Sequence, residues 1–302
     1  MKPTVVVGSY NTGLSMFVER LPEAGETVLG TGYNEGPGGK GSNQAVAARR
    51  LGGRIGFVGR VGRDKFGDDA FALWKAEGVD AVNVRRARAH TGLGFVIVDK
   101  RGNNAITVDA GANLEFVPED VEAAEQTISE AGILLTQLEI PVAAVNAALA
   151  IGRRHGLKVI LNPAPALSAS SVKLGEVDIL TPNEQEFLEI TGQSDLRRGA
   201  ALLLSKGVKA VVVTLGEKGA FVATPSDEYT VPAPGVDVVD TTGAGDAFNG
   251  ALAVALSEGE PLRQAVAFAN YAGALTVTKR EVIPALPRRS ELDEFRRNDV
   301  LE

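Results

Sequence analysis

Short runs of apolar residues alternate with longer amphipathic segments along most of the chain. Six Val-, Ile- and Leu-rich runs are predicted to be strands: residues 4–8, 55–58, 133–137, 158–161, 179–180 and 210–214. The segments between them are long enough for helices, which are predicted over residues 42–51, 66–77, 141–155 and 183–191. Apolar strands that alternate with helices indicate an α/β fold, with a mainly parallel sheet covered on both faces.

Two segments do not follow this alternation. Residues 10–35 contain scattered apolar residues among Gly and Pro. Residues 91–109 have the pattern of two strands joined by a polar turn around Arg101-Gly102-Asn103. Hairpin-like strands inside an α/β chain predict a small β flap beside the main sheet.

Length and charge limit the classes of protein to consider. The 302 residues, 44% of them hydrophobic, can bury the core of one large α/β domain, and residues 1–302 are predicted as a single domain. The net charge of −7 argues against a nucleic-acid partner. Since there are no cysteines, disulfides, thiolate metal sites and cysteine nucleophiles are excluded. The sequence shows neither signal-peptide anatomy nor a run of about 20 apolar residues, so we expect a cytoplasmic protein without a membrane partner.

The glycine-rich stretch EGPGGKGSNQAVAARRLGG at 35–53 opens one of the predicted helices. It is not a P-loop, because Asn34 stands where the motif needs its first glycine and Gly41 follows Lys40 in place of Ser or Thr. Consecutive glycines still let backbone amides approach a ligand, and Asn43 can both donate and accept hydrogen bonds to a polyhydroxyl compound. The alternative is an ordinary helix start with Lys40 in solvent.

The stretch DTTGAGDAFNG at 240–250 follows a Val-rich segment that predicts a strand ending near Val239. Gly243-Ala244-Gly245 can present successive N–H groups to an anion at the start of a helix predicted over 246–256. Asp246 would lie within reach of that anion, where a carboxylate can take a proton from an attacking hydroxyl. The alternative is a capped helix after a glycine-rich turn.

Two further stretches follow predicted strands. In TPNEQEFLEITG, Asn183 and Glu186 are three residues apart and share a helix face, so they could organise water around Mg²⁺ or simply cap the helix. In VVVTLGEKGAFV at 211–222, the strand ends at Thr214, and the carboxyl ends of strands in open α/β sheets bind ligands. A plain hairpin turn is the alternative there.

Together and in this order, these stretches resemble the ribokinase family of carbohydrate kinases, also called the PfkB family. GPGGKGSNQAVAARRLGG is similar to the family's N-terminal signature, and DTTGAGDAFNGALAVAL is similar to its more specific C-terminal signature. GSYN, QLE, NPAPA, TPNE and TLGEKG also match, so the resemblance spans Val5 to Pro287. It implies a ribokinase-like three-layer α/β/α fold, in which the flap (about 10–35 and 91–109) is a lid that pairs in a homodimer.

The resemblance also implies an activity, namely ATP-dependent phosphorylation of a primary hydroxyl of a small sugar, with ribose expected first. Asp246 would be the catalytic base, and Gly243, Ala244 and Gly245 would form the anion hole. The sugar would be bound by Asn11, Gly39, Lys40, Asn43 and Glu139. ATP would be bound by Asn183, Thr214, Gly216, Gly219 and Asn270. Glu186 would hold Mg²⁺ through water, and Asp240 and Thr242 would belong to a monovalent-cation (K⁺) site.

Two positions depart from the family pattern. Gly13 stands where typical ribokinases carry an aspartate that grips sugar hydroxyls, and an unmade charged hydrogen bond is worth about 1.5–3 kcal/mol. Another sugar, a sugar acid or a nucleoside therefore stays open as the acceptor, as does a non-catalytic sugar-binding regulator on the same fold. Glu281-Val282 replaces a Gly-Ala pair in the loop of the cation site, which leaves potassium activation open.

Overall fold

The computed structural model describes residues 2–299, with residues 167–169 described by their backbone alone. Thirteen strands and ten α-helices form within this part of the chain. The strands are β1 Thr4–Val7, β2 Asn11–Val18, β3 Gly30–Gly38, β4 Ile55–Val61, β5 Asp80–Arg86, β6 Gly92–Asp99, β7 Asn104–Asp109, β8 Ile133–Thr136, β9 Lys158–Leu161, β10 Ile179–Leu180, β11 Ala210–Thr214, β12 Ala220–Ala223 and β13 Glu228–Val231. The helices are α1 Lys40–Arg50, α2 Lys65–Glu77, α3 Pro118–Ala123, α4 Glu125–Ser129, α5 Val142–Arg154, α6 Glu184–Thr191, α7 Leu196–Ser205, α8 Ala244–Ser257, α9 Leu262–Thr276 and α10 Arg289–Asp299.

The central sheet has the strand order β13-β12-β11-β10-β9-β8-β1-β4-β5. The strands from β11 to β5 are parallel to one another, and β12 and β13 continue the sheet antiparallel at one edge. The mainly parallel sheet predicted from the apolar runs is therefore confirmed. The antiparallel edge begins with the hairpin of β11 and β12, which was the alternative interpretation of residues 211–222.

Helices cover both faces of this sheet, so the fold has three layers. Side chains alternate along β1: Val6 packs on one face with α1, α2, α8 and α9, including the fully buried Trp74. Val5 and Val7 pack on the other face with α3, α5, α6 and α7, including Phe187. Because both faces are covered, the central strands are apolar throughout rather than alternating. Among the helices of residues 2–299, none is both long and apolar enough to cross a membrane.

The predicted strands and helices agree with the observed ones to within about three residues, except for the strand predicted to end near Val239. That prediction is wrong, because β13 ends at Val231 and residues 232–239 form no strand. Pro232 and Pro234 have no N–H to donate to a sheet ladder, and this explains the break. The segment instead lines a cavity described below.

The β flap predicted from residues 10–35 and 91–109 is a separate four-stranded sheet with the order β3-β2-β6-β7. Strands β2 and β6 are parallel, whereas β3 and β7 pair antiparallel with their neighbours. Strand β3 runs on to Gly38 and leads through Gly39 directly into α1. The flap therefore joins the main body at the start of α1.

Candidate active site

The carboxyl ends of the parallel strands meet the first turns of α1 and α8 at one edge of the sheet. Gln137 follows β8, Asn162 follows β9, and Thr181 follows β10 at this edge. Ligands bind at such an edge in open α/β sheets. In this protein, Asn162 and Thr181 line a polar crevice at this edge.

The start of α1 is held against the start of β2 by a close approach of the two backbones. Gly39 has φ 85°, and a Cβ on it would lie 2.6 Å from the backbone N of Asn11. Only glycine fits both constraints. The backbone N–H of Lys40 donates to Oε2 of Glu139 (2.8 Å), and the Ser9 hydroxyl donates to the same oxygen (2.5 Å). The structure thus brings together Asn11, Gly39, Lys40 and Glu139.

Asp246 lies in the first turn of α8, yet its carboxylate reaches across to α1 rather than back to the start of its own helix. Its Oδ2 accepts from Nδ2 of Asn43 (2.8 Å), and its Oδ1 accepts from Nε2 of Gln44 (3.0 Å). Burial raises the pKa of Asp246, and the Lys40 charge and these two hydrogen bonds only partly oppose that rise. A buried, oriented carboxylate with a raised pKa is suited to receive a proton near neutral pH. A helix cap does not explain this arrangement.

The turn before Asp246 presents open backbone donors. Within the described chain, Ala244 is the one residue among 243–246 that donates its N–H, to the carbonyl of Thr241 (3.3 Å), so this predicted member of the anion hole does not have an open donor. The N–H groups of Gly243, Gly245 and Asp246 are open, and Gly243 has the left-handed φ of 84°. Successive open amides at a helix start form an anion-binding cradle.

Lys40 lies among carboxylates on the wall of a polar cavity of about 290 Å³, which Asp246 and Glu186 also line. Burial opposes the charge of Lys40, but the carboxylates of Asp246, Glu139 and Glu186 raise its pKa. Lys40 therefore stays cationic. It is placed to offset negative charge that a ligand brings into the cavity.

A second cavity, of about 330 Å³, adjoins the polar one, since Thr214, Thr241 and Gly245 line both. Its walls include Gly216, Gly219, Asn270 and the loop residues Val236 and Val238. The Asn270 side chain donates to the carbonyls of Val231 (2.9 Å) and Pro232 (3.1 Å) and so fixes this loop. The predicted ATP-binding residues Thr214, Gly216, Gly219 and Asn270 thus lie around one cavity.

Asn183 and Glu186 form a reciprocal cap on α6. The Glu186 N–H donates to Oδ1 of Asn183 (2.8 Å), and the Asn183 N–H donates to Oε2 of Glu186 (2.9 Å). Both residues also line the polar cavity, and burial raises the pKa of Glu186. Within residues 2–299, no group of three or more His, Asp or Glu side chains could hold a metal. A single carboxylate fits Mg²⁺, which usually keeps several waters.

Asp240 and Thr242 lie in the loop beside the cradle, together with Glu281. Asp240 accepts from the N–H (2.9 Å) and hydroxyl (2.7 Å) of Thr242 and from the N–H of Glu281 (3.2 Å). Burial alone would raise the pKa of Asp240, but these hydrogen bonds lower it, so the carboxylate stays anionic. Glu281 adopts a left-handed φ of 66°, which is uncommon for a residue other than glycine.

Three buried amides complete the site, although no role was predicted for any of them from the sequence. Nε2 of Gln44 donates to Asn162 (3.0 Å) as well as to Asp246, and Oε1 of Gln44 accepts from Gln137 (2.5 Å). Gln44 follows Asn43 in the first turn of α1, whereas Gln137 and Asn162 follow neighbouring strands. Gln137 and Asn162 each follow an apolar run directly and open the stretches QLE and NPAPA, and Gln44 stands in the glycine-rich stretch at 35–53.

The open amides at the start of α8 and the buried carboxylate beside them have the chemistry that phosphoryl transfer to a hydroxyl needs. A model of the pfkB family of carbohydrate kinases matches residues 1–289, and the chain belongs to this family. It is 36% identical over 300 residues to a ribokinase of Haemophilus influenzae, covering 97% of this chain and 98% of that one.

Solved structures of ribokinases are similar over nearly the whole chain. A ribokinase of Thermotoga maritima superposes with a TM-score of 0.92 at 35% identity, covering 99% of this chain and 100% of that one. An Arabidopsis thaliana ribokinase complexed with ribose and ATP has a TM-score of 0.88 at 33% identity, covering 97% and 98%. The three-layer fold with a separate small sheet, expected from the resemblance, is confirmed.

Proposed function

We propose that the protein transfers the γ-phosphoryl group of ATP to a primary hydroxyl of a small sugar, as ribokinases do with ribose. The observation that carries this proposal is the position of Asp246. Its carboxylate is buried, held by Asn43 and Gln44, and belongs to the same turn as the open amides of Gly243 and Gly245. A proton acceptor beside an anion cradle is what transfer to a hydroxyl requires.

In the proposed reaction, Asp246 accepts the proton of the attacking hydroxyl. The hydroxyl oxygen forms a bond to the γ-phosphorus, while the bond from that phosphorus to the β,γ-bridging oxygen breaks and ADP leaves with the electron pair. The open N–H groups of Gly243, Gly245 and Asp246 donate to the oxygens of the transferring group. Lys40, which lines the same cavity, offsets the charge of the transferring group.

The nucleotide is assigned to the larger cavity, with Thr214, Gly216, Gly219 and Asn270 along it. Asn183 and Glu186, which line the polar cavity, would hold Mg²⁺ through water. When bound, the ion neutralises phosphate charge.

The sugar is assigned to Asn11, Gly39, Lys40, Asn43 and Glu139. Asn43 supports this assignment most directly. Its Nδ2 donates to Asp246, while its buried Oδ1 has no hydrogen-bond partner among the described residues. A buried acceptor without a partner is costly, and a sugar hydroxyl would satisfy it.

We further propose that the chain is one ribokinase-like domain whose flap acts as a lid and pairs in a homodimer. On the face opposite to that of Asn11, the flap exposes Met16, Tyr33 and Phe95, which are 41–57% accessible in the single chain. Apolar groups exposed together support pairing with a second copy. Sedimentation should show a dimer, and charged substitutions at Met16 and Phe95 should produce monomers.

A monovalent-cation site is proposed beside Asp240 and Thr242. The geometry of the loop supports it, since Thr242 and the backbone N–H of Glu281 both donate to the Asp240 carboxylate and so gather the loop around it. Initial rates compared in K⁺, Na⁺ and tetramethylammonium salts of equal ionic strength test this site. Equal rates in all three salts would refute the proposal of a cation site.

The kinase proposal is tested by following ADP release with Mg-ATP and a panel of sugars, sugar acids and nucleosides. Acceptor-dependent release is expected. Release with none of the acceptors would refute the proposal and favour a sugar-binding protein without catalysis.

A further inference from the structure

Three glycines lie side by side across neighbouring strands of the flap. Gly13 in β2 pairs with Gly36 in β3 on one side and with Gly94 in β6 on the other. We call Gly36, Gly13 and Gly94 the glycine row. Glycine is depleted in strands because it loses much backbone freedom on folding and offers no side chain to pack.

Neither the backbone nor the packing requires glycine at these positions. None of the three has the positive φ that favours glycine. A Cβ on Gly36 or Gly94 would meet no atom within 4 Å, and one on Gly13 would meet only the carbonyl oxygen of Gly36, at 3.6 Å. By contrast, a Cβ on Gly39 would collide with the backbone. The glycine row therefore leaves space that the single chain does not fill.

The orientation of the flap indicates where this space lies. Residues paired across strands share a face and alternate along a strand, so the glycine row lies on the same face as Asn11. The opposite face carries Glu35, whose carboxylate accepts from Lys65 of α2 at 2.5 Å. The face that carries Glu35 is therefore the one turned toward α2. The opposite face, which carries Asn11 and the glycine row, is then the one turned toward the crevice.

This face is uncharged throughout. The charged residues of the four flap strands are Glu35, Asp99 and Asp109, and all three fall on the opposite face by register. The positions beside the glycine row on its own face include Ser15, Asn34, Val96 and Val108. A carboxylate or phosphate on the ligand would find no cation there. A neutral group would meet polar amides and aliphatic carbons.

We propose that the glycine row is a subsite for a neutral substituent by which the acceptor exceeds a pentose, and that the acceptor is a neutral sugar of six or more carbons. The inference rests on the proposed kinase function and deepens it. The missing carboxylate at Gly13 weakens the grip on pentose hydroxyls, and the missing side chains at Gly36 and Gly94 open room on the same face. A nucleoside base is not favoured, since the aromatic side chain that the described flap strands place on this face, Phe17, lies two rows away from Gly13.

The test measures kcat and KM for D-ribose, neutral hexoses such as D-fructose and D-allose, D-gluconate and uridine. For the wild-type protein, a neutral hexose should give the highest kcat/KM, at least about tenfold above ribose. Gly94→Val should lower kcat/KM for that hexose about 10–200-fold, mainly through KM, since filling a pocket by a few carbons has effects of this size. It should change the value for ribose by only about twofold.

Gly13→Asp should have the opposite selectivity and raise kcat/KM for ribose about 10–150-fold, the range expected for one restored charged hydrogen bond. The matched control is Gly32→Val, on the same face of β3 but two rows away, where a Cβ would meet the Phe17 ring at an ordinary 3.5 Å. It should leave the ranking of acceptors unchanged.

Several outcomes would overturn the subsite. One is a wild-type protein that prefers ribose, with Gly94→Val lowering the rates for ribose and hexose alike. Another is a Gly94→Val protein that changes from dimer to monomer in sedimentation while its acceptor ranking stays the same, because the glycines would then serve contact between two copies. If no acceptor supports ADP release, the kinase function itself fails and the subsite loses its basis.

Discussion

Replacing Gln44 by Met should shift the pH dependence of the reaction without removing the base. Gln44 donates to the buried carboxylate of Asp246 at 3.0 Å, and a hydrogen bond to a charged group contributes about 1.5–3 kcal/mol. One pKa unit corresponds to about 1.4 kcal/mol, so losing this donor should raise the pKa of Asp246 by about one to two units. Burial has already raised that pKa, and the change adds to it.

The sign of the effect on activity follows from the proposed role. A base works when it is deprotonated, so kcat declines as the pH falls through the pKa of Asp246. In Gln44→Met this acid limb should move about one to two units toward higher pH, while kcat well above the limb stays close to the wild-type value. Profiles of kcat against pH at saturating ATP and acceptor measure the shift.

The matched control is Gln185→Met, which removes a similar donor from an exposed carboxylate, that of Glu189 (2.9 Å). Its profile should coincide with that of the wild type. A Gln44→Met profile with an unmoved acid limb, or with kcat lowered by one factor at every pH, would refute the reasoning that Gln44 tunes Asp246.

Two other predictions concern the cradle and the stability of the fold. Gly243→Ala should lower kcat at least about tenfold, because its left-handed backbone disfavours a Cβ by about 1–2 kcal/mol and Val282 lies 2.9 Å from where that atom would be. Gly259→Ala, with a similar φ at the far end of α8, should keep kcat. Arg50→Met should lower the free energy of unfolding by about 3–5 kcal/mol in urea titrations, since it leaves the nearly buried Glu77 without its two-bond partner. Lys100→Met, which breaks an exposed pair, should cost about 0–1 kcal/mol, and equal losses in the two variants would contradict this ranking.

Features set by local sequence were predictable. The run of residues 158–161 forms a strand with those bounds, because Val159, Ile160 and Leu161 lie between two helix layers and are apolar for that reason. The turn at 243–245 was predictable as an anion cradle because consecutive glycines before a helix leave amides open within a few residues. Its role in catalysis stays a prediction.

Features that depend on pairing of distant strands were not predictable. Gln44 reaches Asn162 and Gln137 because β8 and β9 are neighbours in the sheet, and no local sequence pattern predicts that these two strands are adjacent. The glycine row likewise depends on the register that aligns Gly13 with Gly36 and Gly94. The Val-rich segment before residue 240 favoured a strand by composition, but Pro232 and Pro234 precede it, and β13 ends at Val231 where they begin.

The rate of Asp246→Asn is the most direct test of the proposal that Asp246 is the base of a sugar kinase. With Mg-ATP and the best acceptor of the panel at saturation, kcat should fall about 10²–10⁴-fold, the usual contribution of a general base. The dissociation constant of ATP should stay within about twofold of the wild-type value, because Asp246 does not line the larger cavity assigned to the nucleotide. A kcat within about twofold of the wild-type value, with ATP binding intact, would contradict the assignment.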